Sequence, residues 1–157
     1  MADQVLQAGQ PAPKFKLPSS TGKTIALADL LGKRRVILFF YPKADTPGCT
    51  KEACGFRDAL PRFDTANAAV LGISPDPVED VTNFAKKFNI NYPLLADADH
   101  AVAEQYGVWQ EKSLYGKRYW GVVRTTFVIG LDGRIERVFE KVNPEGHERE
   151  VMTTILT

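Results

Sequence analysis

The sequence predicts an α/β fold with a mixed central sheet flanked by helices and a β-hairpin at the N-terminal end. Three observations lead there. Arg35-Val-Ile-Leu-Phe-Phe-Tyr41 is a continuous β-branched and aromatic run, the pattern of a strand covered on both faces. Strand-like and helix-like segments alternate over most of the chain. Near the end, two strand candidates are separated only by Gly130-Leu-Asp-Gly133, which suits a hairpin.

Taken in order, Phe15-Lys-Leu17 and Thr24-Ile-Ala-Leu27 flank the turn-rich Pro18-Ser-Ser-Thr-Gly-Lys23 and form the first hairpin. A short helix is expected over Ala28 to Leu31, then the central strand Arg35 to Tyr41. Thr50 to Phe63 has helical spacing, and Ala69 to Ile73 is a second buried strand. Pro77 to Phe88 opens with proline in the first turn and repeats apolar residues at Val81, Phe84, Ala85 and Phe88. Leu94-Leu95 is a short strand and His100 to Tyr106 a helix. Lys112 to Trp120 is expected as a loop near the site. Arg124 to Ile129 pairs with Arg134 to Val142, and a helix from about Glu145 to Ile155 closes the chain. This order gives a sheet that is parallel across the crossovers and antiparallel at the terminal hairpin, a thioredoxin-like layout.

The 157 residues suit one domain spanning the whole chain. Lys and Arg number 20 against 19 for Asp and Glu, so no whole-protein field gathers nucleic acid or anionic membrane. Function must reside in a local site. Met1 to Gln10 lacks a basic stretch followed by an apolar one, and no apolar run approaches the roughly 20 residues of a membrane span; a cytoplasmic location is expected. The basic and aromatic residues of Lys112 to Trp120 could stack on bases, but no wider basic footprint accompanies them. His100 and His147 have no partner pattern and are expected at the surface.

Both cysteines, Cys49 and Cys54, lie in Asp45-Thr-Pro-Gly-Cys-Thr-Lys-Glu-Ala-Cys-Gly-Phe-Arg-Asp58, where the central strand hands over to a helix. Cys49 falls in the first helical turn, where unpaired N–H groups and the helix dipole favour a thiolate. Five residues along an α-helix separate two Cα atoms by roughly 8.7 Å, beyond the ~7 Å limit of a disulfide. Three explanations compete. Zinc would need further ligands, and only the distant histidines are of suitable type. A dithiol oxidoreductase would normally carry Cys-x-x-Cys. The third is a two-stage cycle in which one sulfur reacts while the helix is wound and the other meets it after unwinding.

Phe40-Tyr-Pro42, Thr46-Pro-Gly-Cys49-Thr-Lys-Glu-Ala-Cys54 and Phe56-Arg-Asp58 resemble the active-site segment of the peroxiredoxins, in the bacterioferritin comigratory protein or peroxiredoxin Q branch. The resemblance continues through Gly72-Ile-Ser-Pro-Asp76, Tyr92-Pro-Leu-Leu-Ala-Asp97, Tyr106-Gly-Val108 and Arg124-Thr-Thr-Phe-Val-Ile129. It implies a thiol peroxidase without metal, haem or flavin, acting on hydrogen peroxide and organic hydroperoxides and recycled by thioredoxin or a similar dithiol. By the same resemblance Cys49 is the peroxidatic nucleophile and Cys54 the resolving cysteine. Thr46 contacts peroxide and sulfur, Pro42 shields the thiolate, and Arg124 orients it. A resolving cysteine within the chain suggests a monomer. Two rivals stay open, a protein disulfide oxidoreductase and a peroxide-responsive sensor or chaperone.

Ionisation alone makes a weak catalyst. Lowering a thiol pKa from ~8.5 to about 6 raises the thiolate fraction roughly thirtyfold at pH 7, while intrinsic nucleophilicity falls about tenfold. Donors that polarise the O–O bond must supply the rest.

Overall fold

A computed structural model describes residues 4–156; the first three residues of the Met1 to Gln10 stretch considered above, and Thr157, lie outside the described residues. The predicted sheet is present. Its five strands run in the order β5 (Leu94–Ala96), β4 (Ala68–Ser74), β3 (Arg35–Phe40), β8 (Thr125–Ile129), β9 (Ile135–Phe139). β3, β4 and β5 are parallel, and β8 and β9 are antiparallel to their neighbours. The N-terminal hairpin pairs β1 (Lys16–Pro18) with β2 (Thr24–Ala26), and the expected short helix is a single 3-10 turn over Leu27–Asp29.

Alternation along β3 builds two cores. Ile37, Phe39 and Tyr41 point to one face, packed against α1 (Pro47–Thr65), α2 (Val78–Phe88) and α4 (His147–Leu156). Val36, Leu38 and Phe40 point to the other, with Phe15, Leu27, Tyr106 and Phe127. Phe39 is the hub of the first core: its ring stacks on Phe56 of α1 at 4.8 Å and meets Tyr92 edge-on at 5.9 Å. On the second side, α3 (Ala101–Gln105) is started by Asp97, whose carboxylate accepts from the Val102 and Ala103 amides at 3.1 and 2.9 Å.

Helix α1 positions both cysteines. It begins with Pro47 at its first position, where the missing N–H is harmless. Pro61, deeper in the helix, has no N–H for the Arg57 carbonyl four residues back. Asn91 fills that place, its Nδ2 donating to Arg57 O at 3.2 Å. One turn earlier Tyr92 donates its hydroxyl to Ala53 O at 2.7 Å.

The segment expected as a loop, Lys112 to Trp120, is instead most of a second hairpin, β6 (Trp109–Leu114) and β7 (Lys117–Val122). Tyr115 and Gly116 at its tip both have positive φ, as a type I′ turn requires. His147, expected at the surface, is buried between the Phe56 and Phe139 rings. Its Nδ1 lies 2.8 Å from Glu150 Oε1 and its Nε2 2.8 Å from Thr126 Oγ1. A carboxylate only accepts, so Nδ1 donates to Glu150 and Nε2 accepts from the Thr126 hydroxyl. Burial lowers the proton affinity of the ring, in keeping with this neutral role. His100 is half-buried, stacked on Trp109 at 3.9 Å.

Candidate active site

Strand β3 ends at Phe40, and Tyr41 is still tied to β4 through its amide and Ile73 O at 3.0 Å. The next residues, Pro42 to Thr46, form the loop that feeds α1. The Asp76 carboxylate holds this loop, accepting from the Ala44 amide and the Ser74 hydroxyl, each at 2.8 Å. Cys49 then falls in the first turn of α1 and is 1% exposed. Helix geometry leaves the Gly48 and Cys49 amides without an intrahelical acceptor, so they face whatever anion occupies the site.

Arg124, just before β8, reaches the same point from the other side of the cleft. Its Nη2 lies 3.4 Å from Cys49 Sγ, and its Nη1 donates to Glu52 Oε1 at 2.7 Å. Gly48 makes this approach possible: a Cβ there would sit 3.2 Å from Arg124 Nη2. Two predicted residues, Cys49 and Arg124, are thus brought into contact. Thr46 occupies the N-cap position, yet its side chain makes no capping bond and donates to Lys43 O at 2.9 Å. That bond closes the loop from Lys43 to Thr46. Pro42 stands in that loop, half-buried. Cys54 is further along the wound helix and partly exposed, and both thiols are free.

Glu52 was not among the residues singled out from sequence. It is 1% exposed, and its second carboxylate oxygen has no hydrogen-bond partner among the described residues. Burial pushes its carboxyl up to about 7, although the Arg124 charge and hydrogen bond pull the other way. Burial also opposes the Arg124 charge, but Glu52 and Cys49 together hold it above its ordinary range. The ion pair thus fixes the guanidinium while Glu52 is only partly ionised near neutrality. Its signal in the sequence was spacing: three residues after Cys49, it shares that helix face.

The raised carboxyl has a measurable consequence. A group whose folded pKa exceeds its unfolded value contributes stability that is full below the unfolded value and lost as pH rises through the folded one. Glu52 should therefore cost stability between about 4.5 and about 7. Unfolding free energies of Glu52→Gln from urea titrations should fall less over that window than those of the parent, by on the order of 3 kcal/mol.

Among the described residues, no group of three or more His, Cys, Asp or Glu side chains is placed to hold a metal ion, and no helix is long and apolar enough to cross a membrane.

Comparison with known proteins decides the family. The AhpC/TSA family profile matches residues 8–138. Peroxiredoxin Bcp of Escherichia coli (strain K12) is 48% identical over 147 residues, covering 94% of each chain. The chain belongs to the peroxiredoxins, in the Bcp or peroxiredoxin Q branch. This peroxiredoxin is similar in structure to peroxidoxin BcpB from Mycobacterium tuberculosis, with a TM-score of 0.85 and 41% identity over 96% of this chain and 97% of that one. It is similar also to the Xanthomonas campestris bacterioferritin comigratory protein, with a TM-score of 0.88 and 34% identity over 95% and 97% of the two chains. Both are thioredoxin-like peroxiredoxin structures, which agrees with the sheet order described above. As a peroxiredoxin, the protein is an antioxidant thiol peroxidase that takes hydroperoxides as substrates and a thiol as reductant.

Proposed function

We propose that the protein, one domain acting as a monomer, reduces hydrogen peroxide and organic hydroperoxides through Cys49, Cys54 and a thioredoxin-type dithiol. The observation that carries this reading is the Arg124 guanidinium 3.4 Å from a buried thiol in the first turn of a helix. The Cys49 thiolate attacks the terminal peroxide oxygen along the O–O axis. The S–O bond forms, the O–O bond breaks, and the departing alkoxide or hydroxide takes a proton to leave as alcohol or water. Arg124 and the first-turn amides stabilise the charge on that oxygen. Thr46, at the mouth of the turn, contacts the peroxide and the sulfur, and Pro42 shields the sulfur from water. Support for organic substrates comes from the Xanthomonas campestris relative, whose structure is described in terms of alkyl peroxide reduction activity.

The sulfenic acid then awaits Cys54. In a wound helix the two sulfurs cannot bond, so the turns before Ala53 must open. Tyr92 on Ala53 O and Asn91 on Arg57 O hold the helix beyond that point. Cys54 attacks, a disulfide forms, and water leaves; a dithiol donor then returns two electrons and two protons. A cytoplasmic setting, where thioredoxin-type donors are reduced, suits the cycle.

One equivalent of hydroperoxide should consume both thiols and give a peptide cross-linked from Cys49 to Cys54 in the mass spectrum. Cys54→Ser should stop at Cys49 carrying one added oxygen, with steady-state turnover reduced by at least tenfold when thioredoxin is the donor. Finding both thiols intact after oxidation, or full turnover in Cys54→Ser, would contradict the cycle.

A further inference from the structure

The β6–β7 hairpin has no part in the chemistry assigned so far, yet it carries a half-buried cation whose hydrogen bond ends two residues before Arg124. Lys112 stands opposite Tyr119 in the hairpin register, and Gly121 lies on the same face. A Cβ at Gly121 would sit 3.3 Å from Lys112 Cδ and 3.5 Å from Tyr119 Cε2. The lysine stem therefore lies along the glycine. Its ammonium is 5.9 Å from the Tyr119 ring centroid and donates to Val122 O at 2.9 Å. That carbonyl is two residues before Arg124. Lys117 and Arg118, further out on the hairpin, are exposed, whereas Lys112 is half-buried. Among the described residues no carboxylate pairs with it. Burial and the Arg124 charge lower its proton affinity, while the Cys49 charge raises it, so the ammonium is within electrostatic reach of both.

We propose that Lys112 is a second cation of the active site, a positioning residue that holds the Val122–Arg124 segment through its hydrogen bond and adds positive potential at the Cys49 sulfur. This rests on Cys49 being the nucleophile. Keeping a half-buried lysine near another cation is unfavourable unless an anion lies within reach of both. The thiolate is such an anion, and the oxygen leaving the peroxide is another during the reaction. The charged and titratable groups that interact electrostatically around Cys49 are Arg124 ahead of β8, which touches the sulfur, Glu52 on its own helix, Tyr41 at the end of β3 and Lys112 on β6. Burial holds the Tyr41 phenol protonated, and Glu52 is committed to Arg124. Lys112 is then the cation whose charge is not already matched by a carboxylate.

The test is the pH profile of iodoacetamide alkylation in a Cys54→Ser background, where Cys49 is the only thiol, together with the rate constant for hydrogen peroxide. Lys112→Met should move the alkylation midpoint up by about half a unit to one unit, and slow the reaction with peroxide about three- to tenfold. Lys112→Arg should restore both most of the way. Gly121→Val, which displaces the lysine stem and leaves its charge, should move the midpoint in the same direction by less. Superimposable profiles for Lys112→Met and its parent, with matching far-UV spectra, would overturn the proposal. So would a slower reaction at an unmoved midpoint, the mark of a purely structural prop. Turnover surviving in Cys49→Ser would instead overturn the reading on which the proposal rests.

Discussion

Arg124→Met is expected to reduce hydroperoxides about 10²- to 10³-fold more slowly than the parent, with Cys49→Ser, expected to have no turnover, marking the floor. The magnitude follows from what the guanidinium does. Thiol ionisation alone gains only about threefold at neutral pH once lost nucleophilicity is counted, so most of the acceleration must come from donors aimed at the reacting oxygens. Arg124 is the charged donor in contact with the sulfur. Its removal also strands Glu52, which is 1% exposed and ion-paired at 2.7 Å. Breaking a buried pair on one side costs about 3–5 kcal/mol, reduced where the stranded carboxyl can take up a proton. The double variant Arg124→Met/Glu52→Gln separates the two effects. It should recover much of the lost stability in urea unfolding and none of the lost rate in single-turnover stopped-flow measurements. Recovery of the rate as well would mean that Arg124 acts only by satisfying Glu52.

The second large effect concerns stability. Phe39→Ala should cost about 3–5 kcal/mol, enough to lower the thermal midpoint by roughly 10 °C in a chain of this size. Phe39 is fully buried in the central strand and makes ring contacts with Tyr41, Phe56 and Tyr92. Truncation leaves a cavity between β3 and the face of α1 that follows Cys54, and flanking aromatic rings collapse into such a space poorly. Tyr115→Ala, at a hairpin tip where the side chain is 96% exposed, should change stability by less than about 0.5 kcal/mol and serves as the control. Comparable losses in the two variants would mean that the β3–α1 core is not where the fold is held.

The inner strands of the sheet were legible because they are buried on both faces. Arg35 to Tyr41 and Ala69 to Ile73 read as continuous apolar runs, and helices between them read by period. The β6–β7 hairpin was not, since most of its residues face solvent on both sides and no apolar alternation survives. Tyr115-Gly116 adopts a turn conformation that Asn-Gly would have announced. At the site, the motif around Cys49 pointed to the thiol and the resemblance over Arg124 to Ile129 to the guanidinium, and the structure brings those two together. Glu52 was missed because a glutamate in a helix is ordinarily solvated. His147 was missed because, although Glu150 lies one turn on in the same helix, Thr126 on β8 and the Phe56 and Phe139 rings meet it only through tertiary packing.

Asn91 and Tyr92 grip helix α1 at two carbonyls one turn apart, one just before Cys54 and the other just after it. In the proposed cycle every turnover bares a piece of main chain, and bared main chain is what proteases cut. By fastening the helix at Ala53 and at the break made by Pro61, the fold confines that exposure to the first two turns. The enzyme's working lifetime in a cell should therefore depend on these two side chains, which take no part in the chemistry.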